Sequence, residues 1–458
     1  MRVKLDIPIN LYDLAANTNM RLSRPELYNR TIYFITTDTR DCEKGDLFIP
    51  IKTTEYNTER YVSDALQKGC ITVSSENPKA HLITDYTDAL LKIARYYKSQ
   101  MKSLARTLAI TGSLGKTTTK NFARKIIATS LSTHATYENH NNHIGLPFTV
   151  FSAKKNTEAL ILELGMNHRG EISSLSKTIS PDVSIITSIS ESHIGNLGSR
   201  DEIKKAKLEI TDGMCDGCLL VPYEESFPSL QVRTNTVSTN SLNADFSLIN
   251  AGRCYKFFSK LGNIDNITPS FSGTHNISNL AFAISAAQIC GINNESIING
   301  INMITNDDLR QRFIQMSDFT ILDDCYNASY ESIKADVEYM HTLTSGPKGV
   351  MLGDVLELGD HSERVHRSIG KMISESDVLH LYCYGTYAEF VAQGALDGGF
   401  NPDNLYVNNN VDNPLASIEH IKLSHLKDEL ILFKASRKMR LDKIIDTMIQ
   451  EERSPNDR

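Results

Sequence analysis

Short apolar runs alternate along this chain with stretches of helical periodicity. In the middle third, apolar runs at 108–110, 159–164, 183–189 and 218–221 are bounded by turn residues and separated by helical patterns. Runs that are apolar throughout are typical of parallel strands whose two faces are both covered by helices. The pattern therefore predicts a doubly wound α/β domain in the middle of the chain.

The same alternation continues on both sides of this segment. In the first third it predicts strands at 31–37, 45–50 and 70–74 and helices at 61–68 and 87–105. In the last third it predicts strands at 320–322, 349–352, 379–384 and 429–433 with helices between them. We therefore expect an α/β protein of three domains: a small N-terminal α/β domain (1–103), a central doubly wound P-loop domain (104–308) and a C-terminal Rossmann-like domain (309–458).

The central domain begins with a strand that runs into a glycine-rich turn and then a helix, in the sequence LAITGSLGKTTT. Backbone N–H groups of such a turn and a helix N-terminus favour a phosphate, which Lys116 can reach, while the Thr117 hydroxyl can bind Mg²⁺. The general P-loop spacing needs glycine at position 110, where this chain has isoleucine. An ordinary glycine turn gives no reason for Lys-Thr-Thr directly after Gly115, so nucleotide binding is the favoured interpretation.

The composition of the chain limits the kinds of molecule that it is expected to bind. The chain has 458 residues and a net charge of −7, which argues against nucleic acid or an anionic membrane as its main partner. The N-terminal segment carries Asp6 and Asp13 where a signal peptide would be apolar, and no run reaches the roughly 18 apolar residues of a membrane span. We expect a cytoplasmic monomer without membrane insertion, and we expect its eight cysteines to be reduced.

Three further side chains are candidates for chemistry. Glu163 ends an apolar strand at the carboxyl edge where open α/β sheets bind ligands, and a magnesium ion shared with Thr117 is its natural partner. His193 follows the next strand to the same edge, where it could bind a second metal ion or be structural. Lys207 lies in the helix RDEIKKAKLEI, where a solvated basic face is the ordinary interpretation.

The glycine-rich turn and many further segments resemble the Mur ligase family. The turn is similar to the family's T-G-[ST]-x-G-K-[ST]-T, which also lacks the first glycine of the general P-loop. Among Mur ligases, the resemblance is to the branch that adds D-alanyl-D-alanine to a UDP-N-acetylmuramoyl-tripeptide in peptidoglycan precursor synthesis. The other segments that carry it are Thr37–Arg40, Gly45–Phe48, Asn139–Pro147, Glu163–Ile172, Ala206–Ile210, Gly273–Asn279, Asp323–Ala328, Gly353–Gly359 with Ser362 and His366, and Lys434–Met439.

This resemblance implies an ATP-dependent ligase that forms an amide bond through an acyl phosphate, with one or two Mg²⁺ ions. The uridine nucleotide acceptor is implied to bind the first domain and ATP the second, while the third domain closes over both. Lys207 matches the lysine that Mur ligases carbamylate with CO₂, which converts a cation into an anion able to help bind magnesium.

The resemblance also assigns individual residues. The residues implied to be catalytic are Lys116, Lys207, His193 and Arg312, with Arg310 as the alternative to Arg312. The residues implied to bind ATP are Gly112, Ser113, Leu114, Gly115, Lys116, Thr117, Thr118, His275, Asn276, Asn279, Arg312, Asp324 and Tyr326. Those implied to bind the acceptor are Asp38, Thr39, Arg40, Asn139, Asn141 and Asn142. Those implied to bind metal are Thr117, Glu163, His193 and, when carbamylated, Lys207.

The sequence departs from the family at several positions. Leu114, Glu138 and Ala435 replace a polar residue and two glycines, and Lys52–Tyr61 replaces the usual G-x-x-x-D-G-H-x-F of the acceptor domain. Two alternatives therefore stay open: a Mur-like carboxylate–amine ligase with another acceptor, and a non-catalytic P-loop protein. The second is disfavoured, because a nucleotide switch needs no carbamate-forming lysine.

Overall fold

The structure is a computed structural model of the chain that describes residues 1–23, 25–53, 56–191, 194–305, 308–309 and 311–453. Its strands form three separate sheets, which follow one another along the sequence. Each sheet lies within one of the three predicted segments, and the exact domain boundaries remain predictions.

The first sheet has five strands in the order β1-β2-β3-β4-β5, with β1 antiparallel to β2 and the others parallel. Its strands are β1 (Arg2–Asn10), β2 (Thr31–Thr36), β3 (Leu47–Phe48), β4 (Ile71–Ser74) and β5 (His81–Leu82). Its helices are α1 (Leu11–Thr18), α2 (Val62–Gln67) and α3 (Tyr86–Ser99).

The second sheet has nine strands in the order β14-β13-β12-β11-β10-β9-β6-β8-β7, parallel from β7 to β12 and antiparallel beyond. Its strands are β6 (Arg106–Thr111), β7 (Thr133–Ala135), β8 (Ala159–Glu163), β9 (Val183–Ile186), β10 (Cys218–Pro222), β11 (Arg233–Ser238), β12 (Phe246–Asn250), β13 (Tyr255–Ser259) and β14 (Ile264–Ile267). Its helices are α4 (Lys116–Ile127), α5 (Gly145–Ser152), α6 (Glu171–Ile179), α7 (Ile194–Leu197), α8 (Arg200–Leu208), α9 (Thr274–Ile289) and α10 (Asn294–Asn302).

The third sheet has six strands in the order β15-β16-β20-β17-β18-β19, with only β15 antiparallel to its neighbour. Its strands are β15 (Arg312–Gln315), β16 (Phe319–Asp323), β17 (Lys348–Gly353), β18 (His380–Tyr384), β19 (Leu405–Asn408) and β20 (Glu429–Lys434). Its helices are α11 (Tyr330–Leu343), α12 (Ser362–Ser374), α13 (Ala388–Asp397), α14 (Leu415–Ser424) and α15 (Leu441–Arg453).

The central sheet places the predicted chemistry at one edge. In β6, Ile110 pairs with Glu163 of β8 on one side and with Ile185 of β9 on the other, so the three strands end side by side. Helices α4 and α9 cover one face of this sheet through a buried apolar cluster that includes Phe122 and Leu280. Because the strands are parallel, their following loops converge on the same edge, as the sequence predicted.

The first domain packs against the central domain through α3. This helix packs on α5 and α6, and the buried Tyr97 hydroxyl accepts a hydrogen bond from Ile7 N and donates one to Ala153 O, each at 3.3 Å. Lys155 N also donates to Asp6 Oδ2 at 2.8 Å. These contacts join the N-terminal sheet to the central domain on the side away from its antiparallel edge.

The prediction of reduced cysteines is wrong for one pair, because Cys42 and Cys70 are joined as a disulfide. The turns after β2 and before β4 meet at one end of the first sheet, where Gly45 N donates to Gly69 O at 3.0 Å. Strand pairing, which a separation of 28 residues does not reveal, brings the two sulfur atoms together. The other cysteines are free: Cys215, Cys218, Cys254, Cys290, Cys325 and Cys383.

Within the described ranges, none of the helices combines the length and the apolar character that crossing a bilayer requires.

Candidate active site

A cavity of about 860 Å³ opens at the carboxyl edge of the central sheet and is walled by the C-terminal domain. Most of the predicted site residues meet there. The segments that line it include Thr111–Lys116, Asn141–Ile144, Glu163–Asn167, His275–Asn276, Tyr326–Ser332 and Val355–Leu358, together with Asn139, Lys207, Asp324, Lys434 and Arg437.

The glycine-rich turn is held open by the segment that follows β9. Leu114 N donates to Ser188 Oγ at 2.8 Å, and Ser113 N donates to Ser188 O at 3.0 Å. A Cβ atom at Gly112, where φ is +150°, would lie 1.9 Å from Thr187 Oγ1. Contacts with this segment therefore order the turn, and Gly112 is required because Thr187 leaves no room for a side chain.

The end of the turn packs against α9. Gly115 has φ +80°, and a Cβ atom there would lie 2.2 Å from Asn279 Oδ1. The same Asn279 oxygen accepts a hydrogen bond from Thr119 Oγ1 at 3.2 Å. Asn279 thus ties the helix that carries it to the first turn of α4, at the helix N-terminus that favours an anion.

Lys116 folds back over the turn. Its Nζ donates to Gly112 O at 2.7 Å and to Ser113 O at 3.2 Å. The ammonium group is therefore held where the N-terminus of α4 also favours an anion. Both features suit this end of the cavity to phosphate groups.

Glu163 lies beside the turn with only 1% of its surface exposed. Its Oε2 accepts a hydrogen bond from Thr117 Oγ1 at 2.8 Å, and its Oε1 accepts one from Asn141 Nδ2 at 2.9 Å. Among the residues that the structure describes, no lysine, arginine or histidine forms an ion pair with it. A buried carboxylate with two neutral donors and no counter-charge favours a bound cation.

Lys207 is 2% exposed and lines the same cavity, so its interpretation as part of a solvated face is wrong. The neighbouring Lys205 is exposed, which shows that α8 turns one lysine inward and another outward. Burial lowers the pKa of Lys207 well below its ordinary value, and the nearby charge of Lys116 lowers it further. The free amine is therefore favoured more strongly than in an ordinary surface lysine.

The asparagine segment approaches Glu163 from β7. Asn141 O accepts a hydrogen bond from Gly165 N at 2.8 Å, and Asn142 Oδ1 accepts hydrogen bonds from Ile144 N and Gly145 N at the start of α5. Asn139 lines the cavity. Glu138, which precedes Asn139, has φ +46°. Glycine, which the Mur ligases usually have at this position, adopts this left-handed conformation at a lower conformational cost than glutamate.

His275 and Asn276 begin α9 at the far side of the turn. The Nδ1 atom of His275 is buried and has no hydrogen-bond partner among the described residues. Burial, assisted by the charge of Lys434, lowers the pKa of His275 to about 4, so its ring is neutral near pH 7. Asn276 Nδ2 donates to Ser272 O at 3.1 Å.

The C-terminal domain contributes Asp324, Tyr326 and a buried ionic cluster that the sequence interpretation missed. Lys434 Nζ lies 2.6 Å from Asp324 Oδ2 and 2.7 Å from Asp336 Oδ2. Asp336 Oδ1 accepts a hydrogen bond from Gln311 Nε2 at 2.6 Å. Nothing in the sequence distinguishes Asp336 from other polar residues of α11. The only sequence signal is Lys434, which ends an apolar strand and would need an acidic partner if it is buried.

The C-terminal loop before α12 touches the central domain. Gly195 N donates to Glu357 O at 3.1 Å, and Arg364 forms an ion pair with Glu191 at 2.9 Å. His366 orders this loop, because its Nε2 accepts from Val355 N at 3.0 Å. The two domains are therefore in direct contact across the mouth of the cavity.

Some predicted residues lie elsewhere. Asp38, Thr39 and Arg40 do not line the cavity, and the Arg40 guanidinium holds the pKa of the Asp38 carboxyl well below its usual range. Arg312 lies in β15 with 63% of its side chain exposed and its guanidinium 3.6 Å from Asp323, so the structure does not bring it to the turn. His193 and Arg310 lie outside the described residues.

Comparisons with known proteins agree with this architecture. A family model described as the Mur ligase middle domain matches residues 110–287. The UDP-N-acetylmuramoyl-tripeptide–D-alanyl-D-alanine ligase of Bacillus subtilis (strain 168) is 35% identical over 445 residues, which are 94% of this chain and 96% of that protein.

Two solved structures are similar in fold. A crystal structure of MurF from Acinetobacter baumannii has a TM-score of 0.87 at 25% identity and covers 98% of this chain and 100% of that one. The MurF ligase from Thermotoga maritima in complex with ADP has a TM-score of 0.78 at 20% identity and covers 92% of this chain and 98% of that one.

The predicted α/β fold and the family resemblance are both confirmed. The match to the Bacillus subtilis enzyme is nearly full-length on both sides, so it includes all three sheets and not only the P-loop. The chain is a member of the Mur ligase family and belongs to its UDP-N-acetylmuramoyl-tripeptide–D-alanyl-D-alanine ligases.

Proposed function

We propose that this chain uses ATP to join D-alanyl-D-alanine to a UDP-N-acetylmuramoyl-tripeptide, in the cytoplasm and as a monomer, during peptidoglycan precursor synthesis. The observation that carries the proposal is the meeting of Lys116, Glu163 and Lys207 in one cavity beneath the C-terminal domain. A simple nucleotide switch needs the phosphate-binding turn but not a second buried lysine beside it.

The reaction has two steps. A carboxylate oxygen of the tripeptide forms a bond to the γ-phosphorus of ATP, the bond to the β–γ bridging oxygen breaks, and ADP leaves. The amine of D-alanyl-D-alanine then attacks the acyl carbon, the carbon–oxygen bond to phosphate breaks, and the nitrogen loses a proton. Lys116 and the N-terminus of α4 stabilise the negative charge on the phosphoryl oxygens.

The residues present fit a magnesium ion next to the phosphates. Glu163 offers a buried carboxylate that forms no ion pair with any residue that the structure describes, and the Thr117 hydroxyl is 2.8 Å from it. No group of three or more histidine, cysteine or acidic side chains suited to a metal ion occurs in the part of the chain that the structure describes. Mg²⁺ is commonly held by one or two protein groups together with substrate phosphates, and when bound it neutralises phosphoryl charge.

The surroundings of Lys207 support the proposal that its amine is carbamylated. Its amine is buried, its pKa is lowered, and no carboxylate of the described residues forms an ion pair with it. Reaction with CO₂ requires the unprotonated amine, forms a nitrogen–carbon bond and releases one proton. The product is an anion, which relieves the repulsion from Lys116. Together with Glu163 and His193, it would hold a magnesium ion.

The nucleoside of ATP is assigned to the wall formed by His275, Asn276 and Asn279 on one side and Asp324 and Tyr326 on the other. The turn Gly112–Thr118 takes the phosphates. Arg312 is the residue proposed to reach the phosphoryl group from the domain junction, with Arg310 as the alternative. The contact between Gly195 and Glu357 favours a closed arrangement that keeps water from the acyl phosphate.

The acceptor is assigned to the groove between the first two domains. Asn139, Asn141 and Asn142 line the cavity, while Asp38, Thr39 and Arg40 would take the more distant uridine nucleotide. The segment that departs from the family lies between β3 and β4 in the sequence. Lys52 pairs with Asn57 across a short bridge, and Thr53 lines the cavity.

That segment favours one alternative, a ligase of the same chemistry with another acceptor. The test measures ADP release with D-alanyl-D-alanine and UDP-N-acetylmuramoyl-tripeptide added singly and together. We expect release only when both are present, and weaker contacts at residues 52–61 would raise the KM of the acceptor and leave kcat little changed. Stimulation by another carboxylate acceptor, and not by the muramoyl nucleotide, would establish the alternative.

A further inference from the structure

The first domain contributes few side chains to the wall of the cavity. Among the residues that the structure describes, only Thr53 and Thr87 of this domain line it. Thr53 belongs to the segment between β3 and β4 that departs from the family, and Thr87 lies in the first turn of α3. The spacing of the two threonines therefore depends on contacts between two elements that are far apart in sequence.

The ends of the segment between β3 and β4 pair as a short hairpin. Thr58 N donates to Ile51 O at 2.9 Å, and Ile51 N donates to Thr58 Oγ1 at 2.7 Å. Lys52 and Asn57 form an antiparallel bridge next to this pair. The base of the hairpin is therefore fixed by its own backbone, and Glu59 follows it directly.

Glu59 ties the base of this hairpin to α3. One oxygen of its carboxylate accepts a hydrogen bond from Ser74 Oγ at the end of β4, and the other accepts one from the hydroxyl of Tyr86, the first residue of α3. Ser74 and Tyr86 are both buried, and Ser75 N also donates to the Tyr86 hydroxyl at 2.8 Å. One carboxylate thus joins the hairpin, the end of β4 and the residue directly before Thr87.

Glu59 is a feature of this chain rather than of the family. When Tyr61 takes the place of the family's phenylalanine, Glu59 stands where G-x-x-x-D-G-H-x-F has histidine. Burial raises the pKa of the Glu59 carboxyl, against the opposing hydrogen bond from Ser74. The carboxylate is therefore favoured only together with its hydroxyl donors, and those donors belong to β4 and α3.

We propose that Glu59 is a positioning residue that holds Thr53 and Thr87 against the peptide of the acceptor. This inference rests on the proposed ligase function. The γ-phosphate of ATP must meet the terminal carboxylate of the peptide, so the peptide end of the acceptor enters the cavity that also contains Lys116. The uridine nucleotide is assigned to residues that do not line this cavity, so the two threonines face the peptide.

The test measures the steady-state kinetics of ligation for Glu59→Ala and Glu59→Gln. Glu59→Ala should raise the KM of the UDP-N-acetylmuramoyl-tripeptide about tenfold and leave kcat and the KM of ATP within about twofold of the parent values. The amide oxygen of glutamine still accepts one hydrogen bond, so Glu59→Gln should raise the same KM only about threefold. Competitive inhibition by UDP-N-acetylmuramic acid, which lacks the peptide, should be equally strong in the parent and in both variants.

A double-mutant cycle with Tyr86→Phe tests the contact itself. Phenylalanine removes the hydroxyl that Glu59 accepts from, so in this background Glu59→Ala should raise the KM of the acceptor less than about threefold. Effects of Glu59→Ala and Tyr86→Phe that multiply fully would overturn the proposal. An unchanged acceptor KM in both Glu59 variants, or an equal loss of inhibition by the peptide-free nucleotide, would overturn it as well.

Glu76→Ala is the matched control. Glu76 is an exposed glutamate two residues beyond Ser74, and its replacement should leave every kinetic constant at the parent value. An equal rise in acceptor KM for Glu76→Ala would indicate a general effect of charge and would contradict the proposal. If Glu59→Ala does not fold, Glu59→Gln with and without Tyr86→Phe provides the same comparison. A parent chain that releases no ADP with both substrates would refute the proposed function, whereas an active parent with unaltered Glu59 variants would refute this inference alone.

Discussion

Replacing Gly115 by alanine should disable the phosphate-binding turn for a reason that can be separated into two parts. The first is conformational: at φ +80°, alanine is less stable than glycine by about 1 kcal/mol. The second is steric, because the new Cβ would lie 2.2 Å from Asn279 Oδ1. The two atoms must separate by about 1 Å to reach ordinary contact.

The steric part costs more than the conformational part. Asn279 is buried, and moving it breaks the hydrogen bond that it accepts from Thr119 Oγ1 at 3.2 Å. Leaving buried polar groups without partners costs about 1–3 kcal/mol. Gly115→Ala should therefore lower the free energy of unfolding by about 2–4 kcal/mol and weaken ADP binding by about tenfold or more, because the first turn of α4 must shift.

Gly252→Ala provides the control for the conformational part. Gly252 has φ +89°, close to that of Gly115, but nothing lies within 4 Å of its Cβ position. Denaturant unfolding should show a loss of about 1 kcal/mol for Gly252→Ala, with ADP binding unchanged. In an Asn279→Ala background, Gly115→Ala should cost no more than this control. Equal losses for the two glycine variants in the parent would refute the steric reasoning.

Two further variants test other parts of the site. Lys207→Met should abolish ligation yet raise the free energy of unfolding by about 1–4 kcal/mol in bicarbonate-free buffer at pH 7, because it removes a buried amine whose protonated form the folded chain disfavours. Since the folded-state pKa of Lys207 is lowered, this advantage should shrink as the pH rises towards about 10.4, and a variant less stable than the parent would contradict the burial argument. Gly195→Ala would place its Cβ 2.6 Å from Glu357 O and 2.7 Å from Gly359 N, so kcat should fall about tenfold or more through impaired domain contact while the exposed neighbour Asn196→Ala stays at the parent rate, and equal rates for both variants would show that this contact is not needed.

The sequence predicted the central site well because its signals are local. The strand, glycine turn and helix around Lys116 follow one another within a few residues, and Glu163 ends an apolar run whose partner strands were also recognisable. The parallel pairing of β6 with β8 and β9 then brings these segments together without further information.

The strands that the sequence interpretation missed have weaker apolar patterns. In β11 the first two residues, Arg233 and Thr234, are exposed and only its last two are buried, so the run does not resemble a covered parallel strand. In β13 a single residue, Phe257, is buried. Strands with one partly solvated face are specified by pairing with their neighbours more than by their own composition.

The ionic cluster of the C-terminal domain could not be predicted for a different reason. Asp336 lies in α11, Lys434 ends β20 and Gln311 directly precedes β15, so the three residues are far apart in sequence. Their meeting depends on how α11 packs against β20 and on the path of the interdomain connection. Their positions in the sequence follow no recognisable spacing. In the structure, the burial of their charged groups identifies them.

In the proposed reaction, ATP activates the carboxylate of the tripeptide before the amine displaces phosphate. The most direct test supplies UDP-N-acetylmuramoyl-tripeptide labelled with ¹⁸O in its terminal carboxylate, together with D-alanyl-D-alanine and Mg-ATP, and measures the isotope in the inorganic phosphate by mass spectrometry. The account predicts one ¹⁸O atom transferred to phosphate for each amide formed, and none with Lys116→Ala. Amide formation with unlabelled phosphate, or no amide from these two substrates, would contradict it.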